Sequence, residues 1–223
     1  MNILFYTITL MPYAGGIARV TDNIASELIH RGHKCFGLYH AGMADIPTQR
    51  KAKYTATMAI TPQTSLKITV RQVAEFIKHN QIDVIINQQG ALLYNLRLCQ
   101  KLKKITQTPI VTFYHTLPGH LSLELKGLPK LKEKLTWKDH IKALIRPYYY
   151  IYLQARAIYI CRKGYSISDK YVLLAESYIR LFKHENRIKN GERLTFINNS
   201  ITFEHILPEE SLQQKKNIVL IVS

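Results

Sequence analysis

The sequence has few cysteines and no long apolar run. Its three cysteines, Cys35, Cys99 and Cys161, are far apart in the chain, and none belongs to a C-x-x-C pair or has a histidine at metal spacing. This argues against a disulfide framework and favours a reduced compartment. No stretch reaches the roughly 18 to 20 consecutive apolar residues of a membrane-spanning helix, and the start, Met1–Phe5, lacks the basic leader of a signal peptide. We therefore expect a cytoplasmic protein, either soluble or peripheral on the inner face of the cell membrane.

Acidic residues are also scarce. The 223 residues include 31 Lys and Arg but only 15 Asp and Glu, which gives a formal net charge of +16. Such an excess favours a partner that carries phosphates, a nucleic acid or an anionic membrane surface. Nucleic acid is the weakest of the three, because the sequence has no known nucleic-acid-binding motif and its aromatic residues follow helical spacing instead of forming a stacking platform.

What the sequence does contain is an alternation of apolar runs and amphipathic segments. Ile17, Val20, Ile24 and Leu28 lie three or four residues apart, which predicts a helix that packs on a sheet. The apolar runs predict strands near the start and at 34–40, 82–90, 109–115, 170–177 and 193–200, with helices at 17–30, 65–78, 92–103 and 178–189 between them. The predicted fold is α/β, a Rossmann-like parallel sheet with helices on both faces.

The segment 119–163 interrupts this pattern, because it is too long for one crossover helix. It contains ten Lys or Arg and three acidic residues, and an aromatic and aliphatic stripe runs through it at helical spacing, next to Lys138, Lys142 and Arg146. Pro147 is expected to kink or divide this helix. Basic residues beside aromatic ones suit contact with an anionic membrane, but the stripe equally suits a helix that covers the sheet.

Ligands of open parallel sheets bind beyond the carboxyl ends of the strands. The residues that follow the predicted strands are therefore the candidate site. All of them are polar or glycine, and we select Gly15, Gly16, Asn87, His115, Thr116, Ser177 and Asn199.

Each candidate also has a purely structural interpretation. In that interpretation Gly15-Gly16 only forms a tight turn, Ser177 caps a helix, Asn199 forms a turn, and His115 bonds to backbone. As a catalytic residue, His115 would donate to or accept from a substrate hydroxyl, or buffer charge near neutral pH. A dinucleotide site is disfavoured, and with it a nicotinamide oxidoreductase, because the glycines do not form G-x-G-x-x-G and no acidic residue ends the second strand.

The first strand, the Gly15-Gly16 loop and the helix ending in "ELIHRGHKC" resemble the opening of retaining glycosyltransferases of family 4. Arg31-Gly32-His33-Lys34-Cys35 corresponds to their R-G-H-x-V motif, with Cys for Val. The resemblance implies a GT-B architecture of two Rossmann-like domains that face a cleft. Residues 1–207 would form the N-terminal, acceptor-side domain, with 119–163 as a basic helical insertion. Residues 208–223 would form a linker and the first strand of a C-terminal nucleotide-sugar domain.

The resemblance also implies a function. The chain would transfer a sugar from a nucleotide sugar to a glycan or lipid-linked acceptor in cell-surface polysaccharide synthesis, without a metal or other cofactor. Gly15 and Gly16 would approach the donor phosphate or the transferred sugar, and His115 would line the acceptor side. The groups that neutralise the leaving diphosphate belong to the family's second domain, so residues 1–223 alone should turn over little. The alternative is a basic, non-catalytic module that binds an anionic membrane.

Overall fold

The computed structural model describes residues 1–42, 46–118 and 137–198, apart from the side chains of 137–147 and of residue 150. The described strands are β1 Asn2–Tyr6, β2 Lys34–His40, β3 Ala56–Ile60, β4 Val84–Asn87, β5 Ile110–Phe113, β6 Lys170–Leu173 and β7 Leu194–Phe196. The described α-helices are α1 Gly16–His30, α2 Leu66–His79, α3 Leu93–Thr106, α4 Trp137–Ile167 and α5 Glu176–Glu185. Short 3₁₀ helices span Pro12–Ala14 and Pro47–Gln49.

The seven strands form one parallel sheet in the order β3-β2-β1-β4-β5-β6-β7. From β1 the chain adds β2 and β3 on one side of the sheet. It then returns to place β4 on the other side of β1, and adds β5, β6 and β7 outward from there. In register, Tyr6 lies opposite Asn87, and Asn87 lies opposite Thr112, so β1, β4 and β5 end side by side. The boundary between β1 and β4 is the topological switch point at which open α/β sheets bind ligands.

Alternate residues of each strand face opposite layers of helices. Leu4 and Ile85 pack with α2 and α3 in the largest core cluster, whereas Ile3 and Phe5 pack with α1 on the other face. A third cluster, which includes Tyr171 and the α5 residue Phe182, covers the β6–β7 side. The prediction of a Rossmann-like parallel sheet with helices on both faces is confirmed.

The structure corrects several details of the sequence interpretation. Helix α4 runs unbroken through Pro147, so the prediction that proline divides it is wrong. A helix of 31 residues keeps its other backbone hydrogen bonds when one is lost. Strand β4 ends at Asn87, three residues before the predicted end, and β3 was not predicted at all. Residues 119–136 and 199–223 lie outside the described residues, and with them the predicted linker and strand at 208–223.

Helix α5 begins two residues earlier than predicted, at Glu176. Its N-cap is Ala175, and no side chain caps it. The interpretation of Ser177 as the cap is therefore wrong, because the residue already lies within the first helical turn.

Candidate functional site

The carboxyl edge of the sheet, where the parallel strands end, brings most of the predicted site residues together. Gly15 and Gly16 follow β1, Asn87 ends β4, and His115 follows β5. Because β4 lies between β1 and β5, these residues belong to three neighbouring strand ends. Thr116 is exposed next to His115.

Two other predicted site residues do not join this group. Ser177 is exposed in the first turn of α5, beyond β6. Asn199 lies outside the described residues. The site that the structure assembles is therefore centred on β1, β4 and β5.

The glycine loop leaves the start of α1 open. Gly15 has a φ of +147°, a conformation that residues with a side chain rarely adopt, and it occupies the N-cap position of α1. A Cβ added at Gly15 or Gly16 would meet no atom within 4 Å. No side chain caps the helix and no acidic residue lies in its first turn. The free N–H groups at the positive end of the helix dipole therefore suit an anionic group.

His115 is held by a side chain and not by backbone. Its Nε2 lies 2.6 Å from Oε1 of Gln88, and its ring stacks on that of Phe113, with centroids 5.8 Å apart. Burial lowers the pKa of His115 to about 4. The ring is thus neutral at pH 7, and the expectation that it buffers charge near neutral pH is wrong. Hydrogen bonding to a hydroxyl is the chemistry that remains.

The turn after β4 is rich in buried amides. Asn87 and Gln88 are almost fully buried, as is Asn95 in the first turn of α3. The Asn87 Oδ1 accepts the backbone N–H of Gln89 at 3.2 Å, but its Nδ2 has no partner among the described residues. The same holds for Nε2 of Gln88. Leaving a buried polar atom unpaired costs about 1 to 3 kcal/mol, so such atoms usually bind water or a ligand.

A second polar cluster, which sequence reasoning missed, lies where β1 and β2 end. The Tyr6 hydroxyl is 3.3 Å from Nε2 of His40, and the rings of His40 and Tyr94 meet edge to face at 5.9 Å. Burial lowers the pKa of His40, and the nearby Asn95 amide partly offsets this effect. His40 ends a predicted strand, which is the one signal in the sequence that pointed to this cluster.

An apolar groove with a basic rim lies elsewhere. It has a volume of about 850 Å³ and runs between α2 and α3 towards Ile82 and Thr108, which precede β4 and β5. It therefore opens near the amino ends of these strands, away from the glycine loop and His115. Its rim carries Lys67, Arg71, Lys78, Lys101 and Lys104.

Other classes of site are not found among the described residues. No group of three or more His, Cys, Asp or Glu side chains in the described part of the chain is placed to hold a metal ion. None of the described helices is long and apolar enough to cross a bilayer. All three cysteines are buried, and none forms a disulfide.

Comparison with known proteins identifies the family. The sequence profile of Glycosyltransferase Family 4 matches residues 14–204, most of the chain. The chain belongs to glycosyltransferase family 4. No curated protein matches its sequence significantly. The family assignment made from the Gly15-Gly16 loop and the Arg31-Gly32-His33 motif is thus confirmed.

Several solved structures share the fold. HepE from Anabaena, in complex with UDP and glucose, has a TM-score of 0.56 at 15% identity, over 90% of this chain and 45% of that one. A glycosyltransferase from Rickettsia africae has a TM-score of 0.56 at 16% identity, and the match covers 97% of this chain and 50% of that one. The lipopolysaccharide outer core galactosyltransferase WaaB has a TM-score of 0.55 at 13% identity, and the match covers 94% of this chain and 49% of that one. This family 4 chain therefore spans about half the length of the structures that it matches, and at these identities the likeness shows the fold alone.

Proposed function

We propose that the chain forms the acceptor-side half of a retaining glycosyltransferase, which moves a sugar from a nucleotide sugar to a glycan or lipid-linked acceptor. The observation that carries this proposal is that an open, uncapped helix start after β1 and the part-buried Gln88–His115 pair, which joins the ends of β4 and β5, lie at one edge of a family 4 fold. The bound UDP and glucose in the HepE structure favour a nucleotide sugar as donor. Synthesis of a cell-surface polysaccharide is the setting that we propose for this reaction.

The two parts of the site would have different tasks. The N–H groups at the start of α1 would bind the negative charge of the donor phosphate. The neutral His115 would exchange a hydrogen bond with a sugar hydroxyl, which orients the reacting groups. Charge that develops on the departing diphosphate requires preorganised positive groups, and the family resemblance assigns these to a second domain. No metal or other cofactor enters this proposal.

Replacing Gly16 by valine tests the role of the glycine loop. A side chain at Gly16 meets no protein atom within 4 Å and needs no unusual φ, so the fold should tolerate it. The added isopropyl group would instead occupy the space in front of the helix start. We expect the loss of about 1 to 2 kcal/mol of donor binding, roughly a tenfold weaker affinity. The measurement is calorimetric titration of an intact protein that includes this chain with a panel of nucleotide sugars.

Gly16→Ala is the matched control, and its smaller side chain should give a smaller loss of affinity. Thermal unfolding of both variants checks that the fold is kept. If the folded valine variant binds the donor as tightly as the wild type, the loop has no role in donor binding.

A second proposal concerns the surface of α4. Tyr148, Tyr152 and Tyr159 are 76%, 58% and 52% exposed, and their spacing of four and seven residues places them on one helix face. These three tyrosines of the predicted stripe therefore do not cover the sheet. Exposed tyrosines next to basic residues are typical of surfaces that bind at a membrane interface. We propose that α4 attaches the protein peripherally to an anionic membrane, on the cytoplasmic side.

Charge reversal tests this proposal. Lys138, Lys142 and Arg146 belong to α4, although their side chains lie outside the described residues. Each basic residue near an anionic surface contributes about 1 kcal/mol, so changing all three to Glu should weaken binding to phosphatidylglycerol-containing vesicles by at least about tenfold. Vesicle sedimentation measures the effect.

The control variant changes the net charge by the same amount, but on a different surface of the protein. Lys67, Lys101 and Lys104 line the groove between α2 and α3. Reversing them should weaken vesicle binding much less. Equal losses for the two triple variants, or no loss for either, would leave α4 without a specific role at the membrane.

A further inference from the structure

Gln88 and His115 form a part-buried, hydrogen-bonded pair that links two neighbouring strand ends. Gln88 directly follows β4 and is 1% exposed, and His115 lies two residues beyond the end of β5. Their side chains meet at 2.6 Å across 27 positions of sequence. Phe113 stacks on the imidazole ring at an interplanar angle of 16°, so the ring is held on one face as well as at one edge.

The chemistry of the contact fixes the proton on the ring. The Gln88 atom that faces His115 is Oε1, a carbonyl oxygen, which only accepts hydrogen bonds. With the amide in this orientation, Nε2 of His115 carries the hydrogen and donates it. In a neutral imidazole the other nitrogen, Nδ1, then has a lone pair and acts as an acceptor. Within the described part of the chain, Nδ1 has no protein partner.

We infer that Gln88 is a positioning residue, which holds His115 in the Nε2–H tautomer so that Nδ1 accepts a hydrogen bond from a substrate hydroxyl. This inference rests on the proposed sugar transfer and names the chemical group that the site recognises. A neutral acceptor nitrogen favours a sugar hydroxyl over a phosphate oxygen, because two acceptors cannot share a hydrogen bond. The phosphate would then be left to the helix start at Gly16.

The amide of Gln88 carries a further unpaired polar atom. Its Nε2 is buried and has no partner among the described residues. A hydroxyl group donates as well as accepts, so the free Nδ1 of His115 offers the acceptor that its hydrogen needs. A site built to hydrogen-bond a hydroxyl discriminates strongly against an analogue without it, because its buried polar groups would stay unpaired.

Nitrogen-detected NMR of the histidine side chains tests the tautomer without any turnover. Wild-type His115 should appear as a single Nε2–H tautomer that stays neutral between pH 8 and pH 5.5. In Gln88→Met, which keeps the length but removes the acceptor, the ring should become a mixture of tautomers. A wild-type ring with hydrogen on Nδ1, or a ring unchanged by Gln88→Met, would overturn the inference.

Kinetics of an intact protein that includes this chain test the consequence. Gln88→Met should lower kcat/KM for sugar transfer about tenfold, as expected for the loss of one oriented hydrogen bond. Gln88→Glu should restore the tautomer and part of the activity. Its carboxylate should also raise the pKa of His115, so that activity declines at low pH in this variant but not in the wild type. A loss in Gln88→Met that Gln88→Glu neither rescues nor makes pH-dependent would show a structural role only.

The two readouts separate the inference from the function on which it rests. An Nε2–H ring in a protein that transfers no sugar from any nucleotide sugar would support the tautomer assignment and count against the proposed function. Sugar transfer by a protein with an Nδ1–H ring would do the opposite.

Discussion

Gly90→Ala is expected to destabilise the protein and to disturb the site at the same time. A Cβ at Gly90 would lie 2.7 Å from the carbonyl oxygen of Phe113 and 3.0 Å from Cγ2 of Thr112. The first distance is shorter than any contact a real Cβ makes, and its partner is backbone that the β4–β5 pairing holds in place. Overpacking of this kind costs about 1 to 3 kcal/mol.

The disturbance should reach the candidate site through Phe113. The N–H of Gly90 donates to the Phe113 carbonyl at 3.2 Å, and the Phe113 ring stacks on His115. Any shift that relieves the clash moves the end of β5 away from the end of β4. The contact of 2.6 Å between Gln88 and His115 spans this junction and should lengthen. A misplacement of about 1 Å at such a site can lower a catalysed rate about 100-fold.

Urea denaturation measures the loss of stability, and sugar transfer by the intact protein measures the effect on the site. Gly16→Ala is the control for stability, because it makes the same chemical change at a position with open space and an ordinary φ. It should leave the unfolding midpoint nearly unchanged. If Gly90→Ala has the same urea midpoint of unfolding as the wild type, the close approach of Gly90 to β5 is not a constraint on this fold.

The sequence predicted the fold well where periodicity is strong. Strand β2 was predicted at its observed bounds, and α1 was predicted to within one residue. The strand β3 was missed because it is a short edge strand, in which half-exposed and exposed residues alternate up to Ile60. Strand β4 was predicted to be too long, because the apolar run continues into amides that could equally extend a strand. Local pattern does not show where pairing with β5 stops.

The candidate site was predictable by position but not by contact. A parallel sheet places the ends of its strands at one edge, so Gly15, Asn87 and His115 follow from strand assignment alone. The hydrogen bond between Gln88 and His115 depends on the register of β4 against β5, which one sequence does not show. The neutral state of His115 arises from burial, which depends on the packed structure.

Asp22→Ala should lower the stability of the protein more than Gly90→Ala. Asp22 lies on α1 and is 3% exposed, and its carboxylate accepts the backbone N–H groups of Lys51 and Ala52, each at 2.9 Å. The two hydrogen bonds fasten the segment before β3 to the helix that carries the glycine loop. A hydrogen bond to a charged group contributes about 1.5 to 3 kcal/mol, and losing both leaves two N–H groups without their acceptor. We expect a loss of about 3 kcal/mol in the free energy of unfolding.

Two further substitutions on α1 distinguish the loss of these two hydrogen bonds, the Asp22 anchor, from the general effect of removing a charge. Asp22→Asn keeps Oδ1 as an acceptor but replaces the other oxygen by a donor, so its loss should be intermediate. Glu27→Ala removes an exposed ion pair with Arg31 and should change the unfolding midpoint little. Urea denaturation ranks the three variants, and equal losses for Asp22→Ala and Glu27→Ala would contradict the anchor. Because Asp22 lies more than a helical turn beyond the glycine loop, the fraction of Asp22→Ala that stays folded should bind nucleotide sugar with wild-type affinity.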